Sequence, residues 1–185
     1  MPTIVAPKLT YRDLEQLPQD GKRYELVDGE VYMTPSPNRM HQEAVGNVYS
    51  SLRALASAQG LGKVYLAPFD VVFDERNVLQ PDLMFIRQAR LATVKDTHVA
   101  GAPDLAIEVL SKSTAFYDRE TKLQLYARAG VSEVWLVDPE KQTVEVLDLG
   151  PDRRYTLTAS LTGHAFVPSA VLPGLTLSLR EVFAS

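Results

Sequence analysis

The chain of 185 residues contains no cysteine, which excludes disulfides, thiolate metal sites and a cysteine nucleophile. Its three histidines are scattered and lack the spacing of a metal-ligand motif. No apolar run approaches the roughly 20 residues of a membrane span, and "MPTIVAPKLT" lacks the apolar core of a secretory leader. Positive charge is in short supply: 19 Lys and Arg stand against 23 Asp and Glu, for a formal net charge of −4. A protein that grips duplex DNA chiefly through its phosphates is usually basic, so strong constitutive binding of that kind is disfavoured. An enzyme whose own acids meet a phosphate through a bound metal stays open. The sequence has no GxxxxGK[ST] loop, no GxGxxG after a strand, no HExxH and no GxSxG. Kinases, Rossmann dehydrogenases, zincins and α/β-hydrolases therefore find no motif here. A reducing, cytoplasmic setting away from membranes is the expectation.

What is present has an ordinary globular balance, 45% apolar and 23% charged, at a length that suits a single domain over residues 1–185. "YELVDGEVYM" sets Asp-Gly between two alternating runs, a hairpin signal. After the break "TPSPN", the spacing predicts a helix over 39–58 closed by Gly60, with His41, Val45, Val48, Leu52 and Leu55 on one face. "GKVYLAPFDVVF" and "VLQPDLMFI" read as two strands joined by the polar turn "DERN". "PDLAIEVLS" reads as a third strand, buried on both faces. "STAFYDRETKLQLYARAG" predicts a second helix, opened by Ser/Thr and stopped at Gly130. "SEVWLVDP" is a further strand. The remainder ("TVEVLDLG", "RRYTLTAS", "VLPGLTLSL") reads as short strands, with "REVFA" a closing helical turn. The predicted class is α/β (α+β): an N-terminal β-hairpin, an α-β-β-β-α-β mixed sheet flanked by helices, and a β-rich C-terminal tail.

Two acids sit in apolar strands: Asp82 in "NVLQPDLMFI" and Glu108 in "GAPDLAIEVLS". Burying a lone carboxylate costs several kcal/mol unless it is paired or neutralised. Strand alternation points Asp82 with Met84 and Ile86, and Glu108 with Ala106 and Leu110. Were the strands neighbours, both carboxylates would share one face, and their repulsion would raise a pKa or demand a cation. A hard divalent ion such as Mg²⁺ or Mn²⁺ is the usual answer, held by one or two carboxylates plus waters and phosphate. Backbone N–H groups or arginines satisfying two structural acids are the plainer alternative. In the following helix, Asp118, Lys122, Leu125 and Ala129 fall on one stripe at 100° per residue. A lysine there can snorkel past the sheet edge to the acids, although an ordinary i, i+4 pair between Asp118 and Lys122 is the rival reading.

"QPDLMFI", "PDLAIEVLSKST" and "DRETKLQLYARAGVSEVWLVDP" together resemble the Uma2 family, formerly a domain of unknown function, within the PD-(D/E)XK restriction-endonuclease-like superfamily. The resemblance runs from "YELVDGEVYM" to "LPGLTLSLREVF". It implies a restriction-endonuclease-like core, Asp82 as the acid of the PD element and Glu108 as the second acid. Both would hold Mg²⁺ (or Mn²⁺) for phosphodiester hydrolysis. Leu110 stands where the motif expects lysine, so the charge must come from Lys122 on the helix or from Lys112; Lys122 is favoured. The resemblance also suggests Glu25 as a further acid, although a hairpin surface position explains it as well. His41 lies on the apolar stripe of the first helix and can face the site or serve in the core, whereas Glu43 lies on the solvated side. Asp118 reads as a helix-start residue or a partner of Lys122. Asp104 reads as the exposed start of a strand, and Trp135 and Tyr126 as core. The implied partner is nucleic acid as substrate, DNA ahead of RNA, with a homodimer compatible with duplex cutting. A non-catalytic module with the same fold, binding protein or nucleic acid, is the alternative. A metal-free hydrolase using two carboxylates is a weaker third reading.

Overall fold

A computed structural model describes residues 8–18 and 20–185. The opening "MPTIVAP", on which the expectation of no secretory leader rests, lies outside them. In chain order the elements are α1 (Tyr11–Leu14), β1 (Arg23–Val27), β2 (Glu30–Thr34), α2 (Arg39–Gln59), β3 (Gly62–Leu66), β4 (Asp70–Asp74), β5 (Asn77–Leu79) and β6 (Leu83–Arg87). A 3₁₀ turn (Gln88–Thr93) leads to β7 (His98–Ala100) and β8 (Leu105–Val109). A π-helical segment (Tyr117–Lys122) then runs straight into α3 (Leu123–Ala129), followed by β9 (Glu133–Asp138), β10 (Thr143–Leu149), β11 (Tyr155–Leu161) and α4 (Leu179–Val182). The strands form two mixed sheets flanked by helices, ordered β2-β1-β5-β4-β7 and β11-β10-β9-β8-β6-β3.

The expected α-β-β-β-α-β order survives as α2, β3, β6, β8, the π/α3 helix and β9. β8 and β9 are parallel and joined by that helix, while β3, β6 and β8 pair antiparallel. Two of the predicted strands are each split in two. Pro68 and Pro81 lack the N–H that a continuing ladder needs, and at each the chain crosses between sheets. The excursion β4–β5 joins the N-terminal hairpin through Leu26 and Val78, so the hairpin becomes half of a second sheet rather than an appendage. Its turn carries Asp28 at φ 49° and Gly29 at φ 77°, the left-handed pair that a tight hairpin with right-twisted strands requires.

Apart from Arg87 and Glu108, β6 and β8 are apolar because both faces are covered. Leu83, Phe85, Leu105 and Ile107 pack with Val48 and Leu52 of α2. On the other face Ala106 meets Leu125 and Tyr126 of α3, and Met84 meets Val71 and Val99 of the second sheet. α2 starts where the Asn38 side chain accepts the His41 N–H at 3.0 Å and ends at Gly60 in the left-handed region. "VLPGLTLSL" is not a strand. It runs as irregular chain over the core, and the preceding residues are anchored by the buried Glu133 carboxylate, which accepts from Ser169 Oγ and the Ala170 and Val171 N–H groups. Asp104 is buried rather than exposed: it accepts the Arg87 N–H at 2.9 Å and pairs with Arg90 at 3.0 Å, tying the end of β6 to the start of β8. Among the described residues no helix is long and apolar enough to cross a membrane.

Candidate functional site

β6 and β8 pair Leu83 with Ile107 and Met84 with Ala106; continuing that register by one residue sets Asp82 opposite Glu108. Side chains opposite each other in a ladder share a face, and the two buried carboxylates line one cavity, Asp82 against His41 of α2 and Arg23 of β1, Glu108 against the π/α3 helix. Asp82 Oδ2 accepts the Val109 N–H at 2.9 Å and lies 3.1 Å from His41 Nε2, while Oδ1 accepts from Arg23 Nη1 at 3.0 Å. Burial alone would push the Asp82 carboxyl up. The His41 hydrogen bond and the charges of His41, Lys122 and Arg23 overcome it and hold Asp82 at about 2.

Glu108 experiences the opposite balance. Its Oε2 accepts from Lys122 Nζ at 3.0 Å and its Oε1 from the Tyr126 hydroxyl. Burial pushes its carboxyl well above the ordinary range, against the pull of Lys122, and neighbouring Asp118, Asp82 and Glu25 push it further. Lys122 Nζ also lies 3.1 Å from Glu25 Oε1 and 3.3 Å from Asp118 Oδ1. Burial works to lower the Lys122 ammonium, but the carboxylates of Glu108, Glu25, Asp118 and Asp82 outweigh it and raise it well above a free lysine. Asp118 is raised, first by burial.

Lys122 thus does not snorkel past an edge; it is buried at the hub of three acids. The regular helix assumed over Asp118 and Lys122 is a π segment, a form that recurs at functional sites, and it keeps the pair in contact. Glu25 is buried on β1, with Oε1 also accepting the Gln80 N–H at 2.8 Å and Oε2 lacking a partner among the described residues. It stands behind Lys122, outside the lining of the open cavity. His41 is buried against Asp82, and its Nδ1 has no partner among the described residues. Lys112 lies beyond the end of β8, largely exposed and 3.3 Å from Glu140; it lines the same cavity as the acids but, among the described residues, pairs with none of them. Glu43 pairs with Arg39 on the outer side of α2. Sequence reasoning missed Arg23, an unremarkable cation at the start of a hairpin strand. It also gave Tyr126 only a core role, hiding the phenol that reaches Glu108.

The acids open into a cavity of about 260 Å³, whose lining includes Arg23, His41, Asp82, Glu108, Asp118 and Lys122. A second cavity of about 400 Å³ adjoins it and shares Arg23, His41, Asp82 and the Thr34–Pro37 loop. β1, β2, β8, the residue leading into β6, α2 and a π turn, from distant parts of the sequence, therefore converge on one acidic cleft. A family model for Uma2, described as "Putative restriction endonuclease", matches residues 11–180. The chain belongs to the Uma2 family. Among solved structures, a crystal structure described as "a putative nuclease belonging to DUF820" from Anabaena variabilis ATCC 29413 superposes with a TM-score of 0.78. It covers 95% of this chain and 98% of that one at 22% identity, a likeness that speaks for the fold. No curated protein matches the chain.

The restriction-endonuclease-like character of Uma2 raises the question of a divalent ion. Among the described residues no three His, Asp or Glu side chains form a ready-made metal cage. A two-carboxylate site completed by water and phosphate, as Mg²⁺ favours, places lighter demands on the protein. Four clustered acids (Glu25, Asp82, Glu108, Asp118) outnumber the fixed cations Arg23 and Lys122, and burial, reinforced by neighbouring acids, raises the Glu108 and Asp118 carboxyls. The donor set therefore fits a hard cation at Asp82 and Glu108.

Proposed function

We propose that this Uma2 protein is a metal-dependent endonuclease of the PD-(D/E)XK type that hydrolyses phosphodiester bonds in nucleic acid, DNA ahead of RNA. The observation that carries the reading is that Asp82, just before β6, bonds the Val109 N–H of β8 and lines one cavity with Glu108, to which Lys122 is hydrogen-bonded. Asp82 and Glu108 would hold Mg²⁺ or Mn²⁺, which when bound polarises a phosphoryl oxygen and acidifies a water.

The chain's own groups do the positioning. His41 and the Val109 N–H fix the orientation of the Asp82 carboxylate. Tyr126 and Lys122 fix that of Glu108. Lys122 keeps a permanent positive charge at the floor of the cleft, where it offsets charge developing on the phosphoryl group in the transition state. Covering by α2, the hairpin and the π/α3 helix limits water around the acids, which strengthens these interactions.

The test is cleavage of plasmid and oligonucleotide substrates in Mg²⁺ or Mn²⁺ by wild type, Asp82→Ala and Glu108→Ala. Both variants lose cleavage while remaining folded; activity retained in both contradicts the assignment, and activity retained in EDTA points to a metal-free hydrolase. A second reading, a binding module with the same fold, draws support from Leu110 at the motif's lysine position and from the way Lys122 and Arg23 already hold the two acids. Thermal stabilisation by Mn²⁺ separates the two, since mass action stabilises a protein that binds the ion.

A further inference from the structure

Asp82 and Glu108 are each held by a cation, but the two cations differ in their freedom. Lys122 is sealed in and shared among Glu108, Glu25 and Asp118. Arg23 sits at the first residue of β1, and its side chain keeps 23% of its surface exposed. A guanidinium has five N–H donors, and among the described residues the Arg23 side chain uses them for one hydrogen bond, from Nη1 to Asp82 Oδ1 at 3.0 Å. Arg23 also lines both the cavity over the acids and the larger cavity beside it.

The two oxygens of Asp82 are unequal as well. Oδ2 is held twice, by His41 Nε2 and the Val109 N–H, whereas among the described residues Oδ1 is held by Arg23 alone. If Arg23 leaves, Asp82 keeps its orientation and exposes one lone oxygen toward the cleft. Arginine is always charged, and its planar fork matches a phosphate better than a single carboxylate oxygen does.

We infer that Arg23 is a phosphate-binding residue held in reserve: in the free protein it occupies Asp82 Oδ1, and an incoming phosphodiester draws it away and frees that oxygen for the divalent ion. This rests on the nuclease reading and adds an order of events to it. The free protein then binds metal weakly, because Arg23 competes for the same oxygen, and substrate and metal load together. The device limits metal-dependent chemistry in the absence of a phosphodiester.

The experiment measures two affinities in Arg23→Gln and wild type: the Kd for Mn²⁺ alone by calorimetry, and the KM for an oligodeoxynucleotide at saturating Mn²⁺. The expected shifts are opposite. The Mn²⁺ Kd falls several-fold, because its competitor is gone, while KM rises about tenfold or more, the scale of a lost charge-assisted hydrogen bond. A purely structural arginine would weaken both. If Arg23→Gln does not fold, Arg23→Lys keeps the charge without the fork and shows the same opposed shifts at smaller size. A Mn²⁺ Kd that is unchanged or higher in the variant overturns the inference. If wild type binds and cleaves normally but the variant matches it in both measurements, only the inference fails. If wild type neither binds Mn²⁺ nor cleaves, the nuclease reading fails and the inference with it.

Discussion

Lys122 Nζ lies 3.0 Å from Glu108 Oε2, and both side chains are almost fully removed from solvent. A buried ion pair seldom contributes much net stability, yet removing one partner leaves an uncompensated buried charge. Here the lysine compensates three acids rather than one.

Lys122→Met therefore destabilises the protein by about 3–5 kcal/mol, measured by urea unfolding. Glu25→Gln in the same chain recovers part of the loss, because it removes one of the three carboxylates left facing each other. The double-mutant cycle then gives a coupling well above the few tenths of a kcal/mol expected for independent sites. Additive effects would show that Glu25 and Lys122 are not energetically linked.

Asp82 ties the stability of the metal-free protein to acid pH. Its carboxyl is held at about 2 against an ordinary 3.8, so its contribution is present above the unfolded value and is lost as pH falls through the folded one. The stability difference between wild type and Asp82→Asn, measured in EDTA, shrinks by about 2 kcal/mol from pH 5 to pH 2. Glu108 and Asp118 are raised instead, and their contribution has the opposite sign: it is present at low pH and lost as pH rises through their folded values. A pH-independent difference for Asp82→Asn would contradict the cation-held carboxylate.

Lys112 provides a control. Its side chain is 84% exposed and its one ion pair, with Glu140, is on the surface, where such pairs are worth roughly 0–1 kcal/mol. Lys112→Ala leaves both stability and cleavage rate within about threefold of wild type. A large loss of activity would transfer the lysine's role from Lys122 to Lys112.

The acids were legible because a charge inside an apolar strand has few inexpensive explanations, and helical spacing was enough to turn Lys122 inward even though the real segment is a π turn. The hairpin, both long helices and the β8–β9 crossover followed from local signals: Asp28-Gly29, Gly60, Gly130 and the unbroken apolar run of "LAIEVL". Pro68 and Pro81 were also local signals, and read as strand breakers they would have divided the two strands. The second sheet was not legible, because pairing Leu26 with Val78 joins residues far apart in sequence. The same holds for Arg23 and Asp104. Nothing about an arginine at a strand start, or an aspartate after a proline, announces the partner that buries it. Glu25 carried no signal of its own beyond the family resemblance, since hairpin alternation alone permits either face.

The central claim is that Asp82 and Glu108 share one divalent ion. A crystal soaked with Mn²⁺ tests it most directly, through the anomalous signal of the metal. With a phosphodiester analogue bound, so that Arg23 is drawn off Asp82, a single strong peak is expected between the Asp82 and Glu108 carboxylates, lost in Asp82→Ala. A Mn²⁺ ion bound elsewhere while cleavage proceeds, or an empty site at a concentration that supports cleavage, would contradict it.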